Sequence, residues 1–180
     1  FLNLNELNIY HQCESEFATK TESFGGVSYA ERQIIAFIPD ALYYEWSYPI
    51  KCLEIAPAYP KFADEISHRD VLGALMNLGI AREKLGDILI KDNKAYLFAK
   101  REIADYIAEE LQQVRHTIVR CVLEEPSAMA VEPELKEFEK IVASNRLDNV
   151  IAAMSGKSRS QSVVLIQSGK IFINGAECLH

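Results

Sequence analysis

Residues 144–175 read SNRLDNVIAAMSGKSRSQSVVLIQSGKIFING, and the organisation of the chain turns on this stretch. Two short helices are predicted. The first runs from Leu147 to Met154, with Leu147, Val150 and Ile151 on one face. The second starts at Ser158 or Arg159 and continues to Gln167, with Val163, Val164 and Ile166 apolar. Ser168-Gly169 ends it, Lys170–Ile173 reads as a strand, and Asn174-Gly175 reads as the turn that follows. Ser158 at a helix start leaves backbone N–H groups pointing outward, where the helix dipole favours an anion. Lys157 and Arg159 bracket that end, and Arg146 opens the neighbouring helix. Arg159 can meet a phosphate through two parallel hydrogen bonds, whereas Lys157 acts as a point charge. Gln161 and Asn174 can add amide contacts to sugar or base edges. The expected RNA-facing set is Arg146, Lys157, Ser158, Arg159, Ser160, Gln161, Lys170 and Asn174. The plainer alternative is that Ser158 only caps its helix and the cations are solvated.

Charge divides the chain. The formal net charge of the 180 residues is −7, which on its face argues against nucleic acid. Residues 146–180, however, carry Arg146, Lys157, Arg159 and Lys170 against Asp148 and Glu177, a net +2 that leaves −9 for residues 1–145. Only the basic end suits phosphate. The acidic remainder discourages indiscriminate binding and offers a surface to protein partners.

Upstream, Leu4 to about Cys13 gives a helical signal, followed by a polar, loop-like stretch to residue 24. Gly25-Gly26 punctuates the chain, and Ile34–Ile38 is an apolar strand candidate closed by Pro39-Asp40. Tyr48–Ala56 reads as a strand, and Ser67–Leu78 as a helix with Ser67 as N-cap, Asp70 in the first turn and Gly79 as stop. Asp87–Ile90 and Ala95–Ala99 form a hairpin turning at Asp92-Asn93. Glu102–Val114 is amphipathic, with Ile103, Tyr106, Ile107 and Leu111 on one face, and Thr117–Leu123 is a further strand. The order strand–helix–strand–strand–helix–strand is the ferredoxin-like, split βαβ arrangement. The expected fold class is therefore α+β. A helical segment (1–24) precedes a ferredoxin-like domain (25–123). An acidic linker (124–140), with a short helix at Glu134–Phe138, then leads to a small module (141–180).

The C-terminal residues Arg146-Leu147-Asp148, Ser158-Arg159-Ser160, Ile166, Gly169-Lys170 and Ile173-Asn174-Gly175 resemble, in order and spacing, the S-four-type RNA-binding module. That resemblance implies further strand after the Asn-Gly turn. The chain ends at His180 and opens on Phe1 rather than Met, so it reads as a fragment with a partial module. His68–Ile90 (HRDVLGALMNLGIAREKLGDILI), Gly25–Pro39 (GGVSYAERQIIAFIP) and Val142–Asp148 (VASNRLD) resemble the YlmH family of bacterial S-four-domain proteins. This likeness implies non-catalytic RNA binding on the large ribosomal subunit (rRNA or tRNA), in ribosome-associated quality control, by proteins encoded near cell-division genes. Within these stretches Arg69, Arg82 and Lys84 form a second expected RNA contact, set against the reading that they belong to surface ion pairs. Arg82 and Lys84 are expected on a glycine-bounded loop, and Glu31-Arg32 is read as a structural pair.

Enzyme readings find less support. Arg146-Leu147-Asp148 is similar to the catalytic Arg-Leu-Asp of pseudouridine synthases, but Asp148 opens a short helix in a small module and is read as serving the helix N-terminus. The alternatives kept open are an RNA-modifying enzyme whose catalytic part lies elsewhere, and a division-linked protein scaffold. His68-Arg69-Asp70 lacks the remaining kinase motifs, and no Walker loop, dinucleotide fingerprint or Gly-x-Ser-x-Gly occurs. Cys13, Cys52, Cys121 and Cys178 and the four histidines show no zinc spacing, so neither metal nor cofactor is expected. Cys52 and Cys121 are read as core residues. Scattered cysteines and the lack of a ~20-residue apolar run point to a reduced, cytoplasmic setting away from membranes.

Overall fold

The computed structural model describes residues 1–41, 45–124 and 137–178. Its first helix, α1 (Leu4–Cys13), begins with a reciprocal cap. The Asn3 side chain accepts from the Glu6 N–H at 3.0 Å, and the Glu6 carboxylate accepts from the Asn3 N–H at 2.7 Å. The stretch after it is not all loop. Lys20–Phe24 is a strand, β1, paired antiparallel with β2 (Ile34–Ile38), so that Lys20 faces Ile38 and Phe24 faces Ile34. The sequence KTESF lacks any apolar alternation because this strand is mostly solvent-exposed; its partner supplies the apolar residues.

The body is a five-stranded antiparallel sheet in the order β4–β5–β3–β7–β6. Its strands are β3 (Ile50–Pro57), β4 (Leu85–Lys91), β5 (Lys94–Lys100), β6 (Gln113–Val114) and β7 (Thr117–Glu124). Helix α2 (His68–Asn77) connects β3 to β4, and α3 (Arg101–Glu110) follows β5. Strand β5 inserts between β3 and β4, which makes this the split βαβ arrangement expected from the element order. Ser67 caps α2, its hydroxyl accepting from the Asp70 N–H (3.3 Å) and donating to the Asp70 carboxylate (2.6 Å). Gly79 leaves the helix at φ +77°, and the β4–β5 hairpin turns at Asp92 and Asn93, both left-handed (φ 51° and 56°). The amphipathic segment expected to stay helical to Val114 stops at Glu110. Arg115 (φ 54°) turns the chain so that Gln113-Val114 can pair with Thr117-Ile118.

Strand alternation divides the core in two. Leu53, Ile55, Ala95, Leu97 and Ala99 face the helices, where Val71, Leu75, Ala104 and Ile107 complete the larger core. Ile50, Cys52, Tyr96 and Phe98 face the other way and are covered by Phe1, Val27, Ile34 and Tyr48. Gly26, at φ +101°, lies so close to the Phe98 ring that a β-carbon there would collide with it. Burial pushes the thiols of Cys52 and Cys121 up to about 12 and about 11 respectively, as core packing requires. Of the expected short helix at Glu134–Phe138, residues 134–136 lie outside the described residues, and Glu137-Phe138 has no regular structure.

The C-terminal part contains α4 (Leu147–Ser155), α5 (Arg159–Gln167) and a two-residue hairpin of β8 (Phe172–Ile173) and β9 (Ala176–Glu177). The hairpin turns at Asn174 and Gly175, both with positive φ (49° and 78°). The short β9 is the strand that continues past the Asn-Gly turn. Gly156, at φ 67°, closes α4 with a left-handed cap.

Candidate nucleic-acid interface

Helices α4 and α5 bury little apolar surface between them. Ile166, Ser162 and Asp148 are their only buried residues among those described. A buried carboxylate must be matched by donors, and Asp148 is. Its two oxygens accept from Arg146 (Nε at 3.1 Å, a terminal guanidinium nitrogen at 3.4 Å) and from Arg159 Nε at 2.5 Å. The Asp148 side chain is 6% exposed, whereas those of Arg146 and Arg159 are 67% and 56% exposed. The hydrogen bond from Arg159, then that from Arg146, holds the Asp148 carboxyl down at about 2. One carboxylate thus fixes two guanidinium groups, from two helices, with outer edges open to solvent. Two positive charges against one negative leave the cluster cationic, so the edges can bind a phosphate with their geometry already set.

Ser158 and Gln161 prove to be structural before anything else. The Ser158 hydroxyl accepts from the Gln161 N–H (3.2 Å), and the Gln161 side-chain carbonyl accepts from the Ser158 N–H (3.0 Å), a second capping box. Buried Ser162 donates to the Ser158 carbonyl at 3.1 Å. Ser160 lies 3.2 Å from the Ser158 hydroxyl. With the cap taking the Gln161 N–H, the Arg159 and Ser160 N–H groups remain free of side-chain caps at the positive end of α5. Lys157 is exposed beside them and Lys170 is exposed after α5; among the described residues neither side chain enters an ion pair. Asn174, expected at RNA, instead lies 3.5 Å from the Asn8 side chain of α1. Gly175 next to it abuts Leu4 and Asn5 so closely that a β-carbon would collide. The hairpin tip therefore rests on α1, and its amide is turned to the body of the protein.

The second expected contact does not form one surface of free cations. Arg82 lies on a single 3-10 turn (Arg82–Lys84), not on an open loop, and points inward to donate to the Leu85 and Gly86 carbonyls at 3.0 and 3.1 Å. Desolvation, then the neighbouring Arg32, lowers its pKa. Lys84 pairs with Glu102 at 3.2 Å. Arg69 is exposed in the first turn of α2 and lines a groove with Asp70 and Arg115. Glu31 and Arg32 are structural, but not as a mutual pair. Their N–H groups donate to Asp87 (2.7 and 3.1 Å), and the Arg32 guanidinium donates to the carbonyls of Leu85 and Phe1. Burial raises the Asp87 pKa against those hydrogen bonds.

Among the described residues no cluster of His, Cys, Asp or Glu is arranged to hold a metal, and no helix is long and apolar enough to cross a membrane. The residue that reasoning from sequence missed is Asp148 as organiser of both arginines. Its signal was the Arg-Leu-Asp and Ser-Arg-Ser spacing across two helices, which only their packing could connect.

Residues 45–127 match the family model described as "Putative RNA-binding domain in YlmH", and residues 145–179 match the S4 domain. The chain is 32% identical over 156 residues to "Ribosome-associated protein quality control protein P2" of Bacillus subtilis (strain 168), covering 83% of this chain and 58% of that protein. It thus spans less than two thirds of that relative's length. In structure it resembles "Cell division protein ylmH from Streptococcus pneumoniae", with a TM-score of 0.54 and 23% identity, over 69% of this chain and 75% of that one. That likeness is one of fold.

Proposed function

The chain belongs to the YlmH family of S4-domain proteins, and from this premise we propose that it binds structured RNA on the ribosome, without catalysis, by gripping backbone phosphates. The finer reading is rRNA or tRNA of the large subunit, in the cytoplasm, during ribosome-associated quality control. A relative named for that process supports the setting. The observation that carries the binding mode is the Asp148 cluster, in which two exposed guanidinium groups are held ready beside free N–H groups at the start of α5. Lys157 and Lys170 extend the positive field around it. The pairing of Asp148 with two arginines supports a structural role for this carboxylate, that of holding the guanidinium groups in place.

The test is sedimentation with purified 30S and 50S subunits of the wild type and of Lys157→Glu/Lys170→Glu. These two lysines are chosen because their removal leaves the Asp148 cluster intact. The wild type should travel with the 50S peak and the variant should remain at the top of the gradient. A wild type that fails to sediment with either subunit, or a variant that sediments equally well, contradicts the proposal.

A further inference from the structure

Residues 45–127, which match the family model described as a putative RNA-binding domain, form a stretch of chain separate from the C-terminal module. In sheet-based RNA binders the usual platform is the sheet face opposite the helices, where aromatic rings stack on bases. Here the centre of that face is occupied. Phe1, Val27, Ile34 and Tyr48 cover Ile50, Cys52 and Phe98, and Tyr96 is 8% exposed. An RNA strand cannot stack there, which leaves the helical side.

On that side a groove runs between α2 and the segment joining α3 to β7, lined by Arg69, Asn77, Gln112, Gln113 and Arg115, with Asp70 and Glu110 beside them. Arg115 is held in an unexpected way. It turns the β6–β7 hairpin at φ 54°, a conformation that costs an L residue about 1–2 kcal/mol and that glycine or asparagine adopts more readily. The Gln113 side chain donates to the Arg115 carbonyl at 2.5 Å and locks the turn. Backbone strain of this kind is commonly kept at functional positions, and Arg115 lines the groove. Its pairing with Asp70 is loose, with Nε 3.8 Å from the carboxylate and the arginine side chain 56% exposed. Asp70 is engaged by the Ser67 hydroxyl at 2.6 Å. Arg69 is exposed and, among the described residues, enters no ion pair within 4 Å.

We infer that this groove is a second RNA contact, in which Arg69 and Arg115 each meet a backbone phosphate and Asn77, Gln112 and Gln113 offer amides to the sugars or base edges. Asp70 and Glu110 balance the two arginines, so contact here depends on where each guanidinium is placed and not on net charge. The inference rests on the proposed RNA binding and adds its second site.

The test uses the full chain with 23S rRNA as probe, in filter binding at 50–200 mM salt. It compares the wild type, Arg69→Gln/Arg115→Gly, and Lys157→Glu/Lys170→Glu. Glycine at 115 relieves the positive φ, so the melting temperature of the first variant should be unchanged or higher. Its affinity should fall about tenfold at 0.1 M salt, and the slope of log K against log salt should shrink by roughly 1.4–1.8, the value for two lost phosphate contacts. Unchanged affinity and slope in this variant, with binding lost in the lysine variant, would overturn the groove and leave the proposed function standing. A wild type that does not bind the probe would overturn both.

Discussion

Lys157→Gln/Lys170→Gln is the cleanest perturbation of the interface, because it removes charge without touching the fold. Both side chains are exposed and, among the described residues, outside any ion pair, so the change in folding stability should stay within about ±0.5 kcal/mol. Arg146 and Arg159 are different, since removing either strips a charged hydrogen-bond donor from the buried Asp148 carboxylate and so perturbs the fold as well as the surface. The magnitude follows from counterion release. Each neutralised phosphate contributes about −0.9 to the slope of log K against log salt on a duplex and about −0.7 on a single strand. Two lysines on two phosphates should thus reduce the slope by roughly 1.4–1.8. Between 50 and 200 mM salt the variant should lose about tenfold less affinity than the wild type. Fluorescence anisotropy with labelled 23S rRNA fragments at four salt concentrations reads the slope, and a thermal melt verifies the fold. An unchanged slope in a variant that melts normally would refute the phosphate grip around α5.

Other consequences follow from single residues. Ser158→Ala removes the cap of α5 and should cost about 1 kcal/mol in urea denaturation, because the Gln161 N–H loses its acceptor. Asp148 titrates at about 2 in the folded protein against an ordinary value of 3.8, so its contribution is complete above about pH 4 and lost as pH falls through 2. Asp148→Asn should therefore be less stable than wild type at pH 6, and the two denaturation curves should converge toward pH 2. Gly26→Ala should destabilise by about 1–3 kcal/mol in the same assay, because φ +101° and the Phe98 ring both oppose a β-carbon. With thiols pushed up to about 12 and about 11, Cys52 and Cys121 should resist alkylation at pH 8 until denaturant is added, as mass spectrometry of trapped peptides would show.

Much of the fold was legible because its elements carry local chemistry. Ser67 with Asp70, Gly79, the Asp92-Asn93 pair and the Asn174-Gly175 pair all act within a few residues of where they stand. Two features escaped because their causes are distant. Strand β1 is polar and is a strand only through β2, and α3 stops at Glu110 because Gln113-Val114 finds a partner in Thr117-Ile118. The interface divided in the same way. Basic residues near a helix start were visible in sequence, and so was the cap at Ser158. That Asp148 ties Arg146 to Arg159, that Arg82 turns toward backbone carbonyls, and that Asn174 rests near Asn8 depend on packing between elements far apart in the chain. Arg69 and Arg115 likewise meet across 46 residues of sequence, which no periodicity reports.

In the proposed mode of binding, the S4 module grips RNA through the surface organised by Asp148. Ultraviolet crosslinking of the full chain to purified 50S subunits, followed by mass spectrometry of peptide–nucleotide adducts, tests it most directly. Adducts should concentrate between Arg146 and Lys170. Adducts absent from that stretch, or confined to the β1–β2 hairpin and α1, would contradict it.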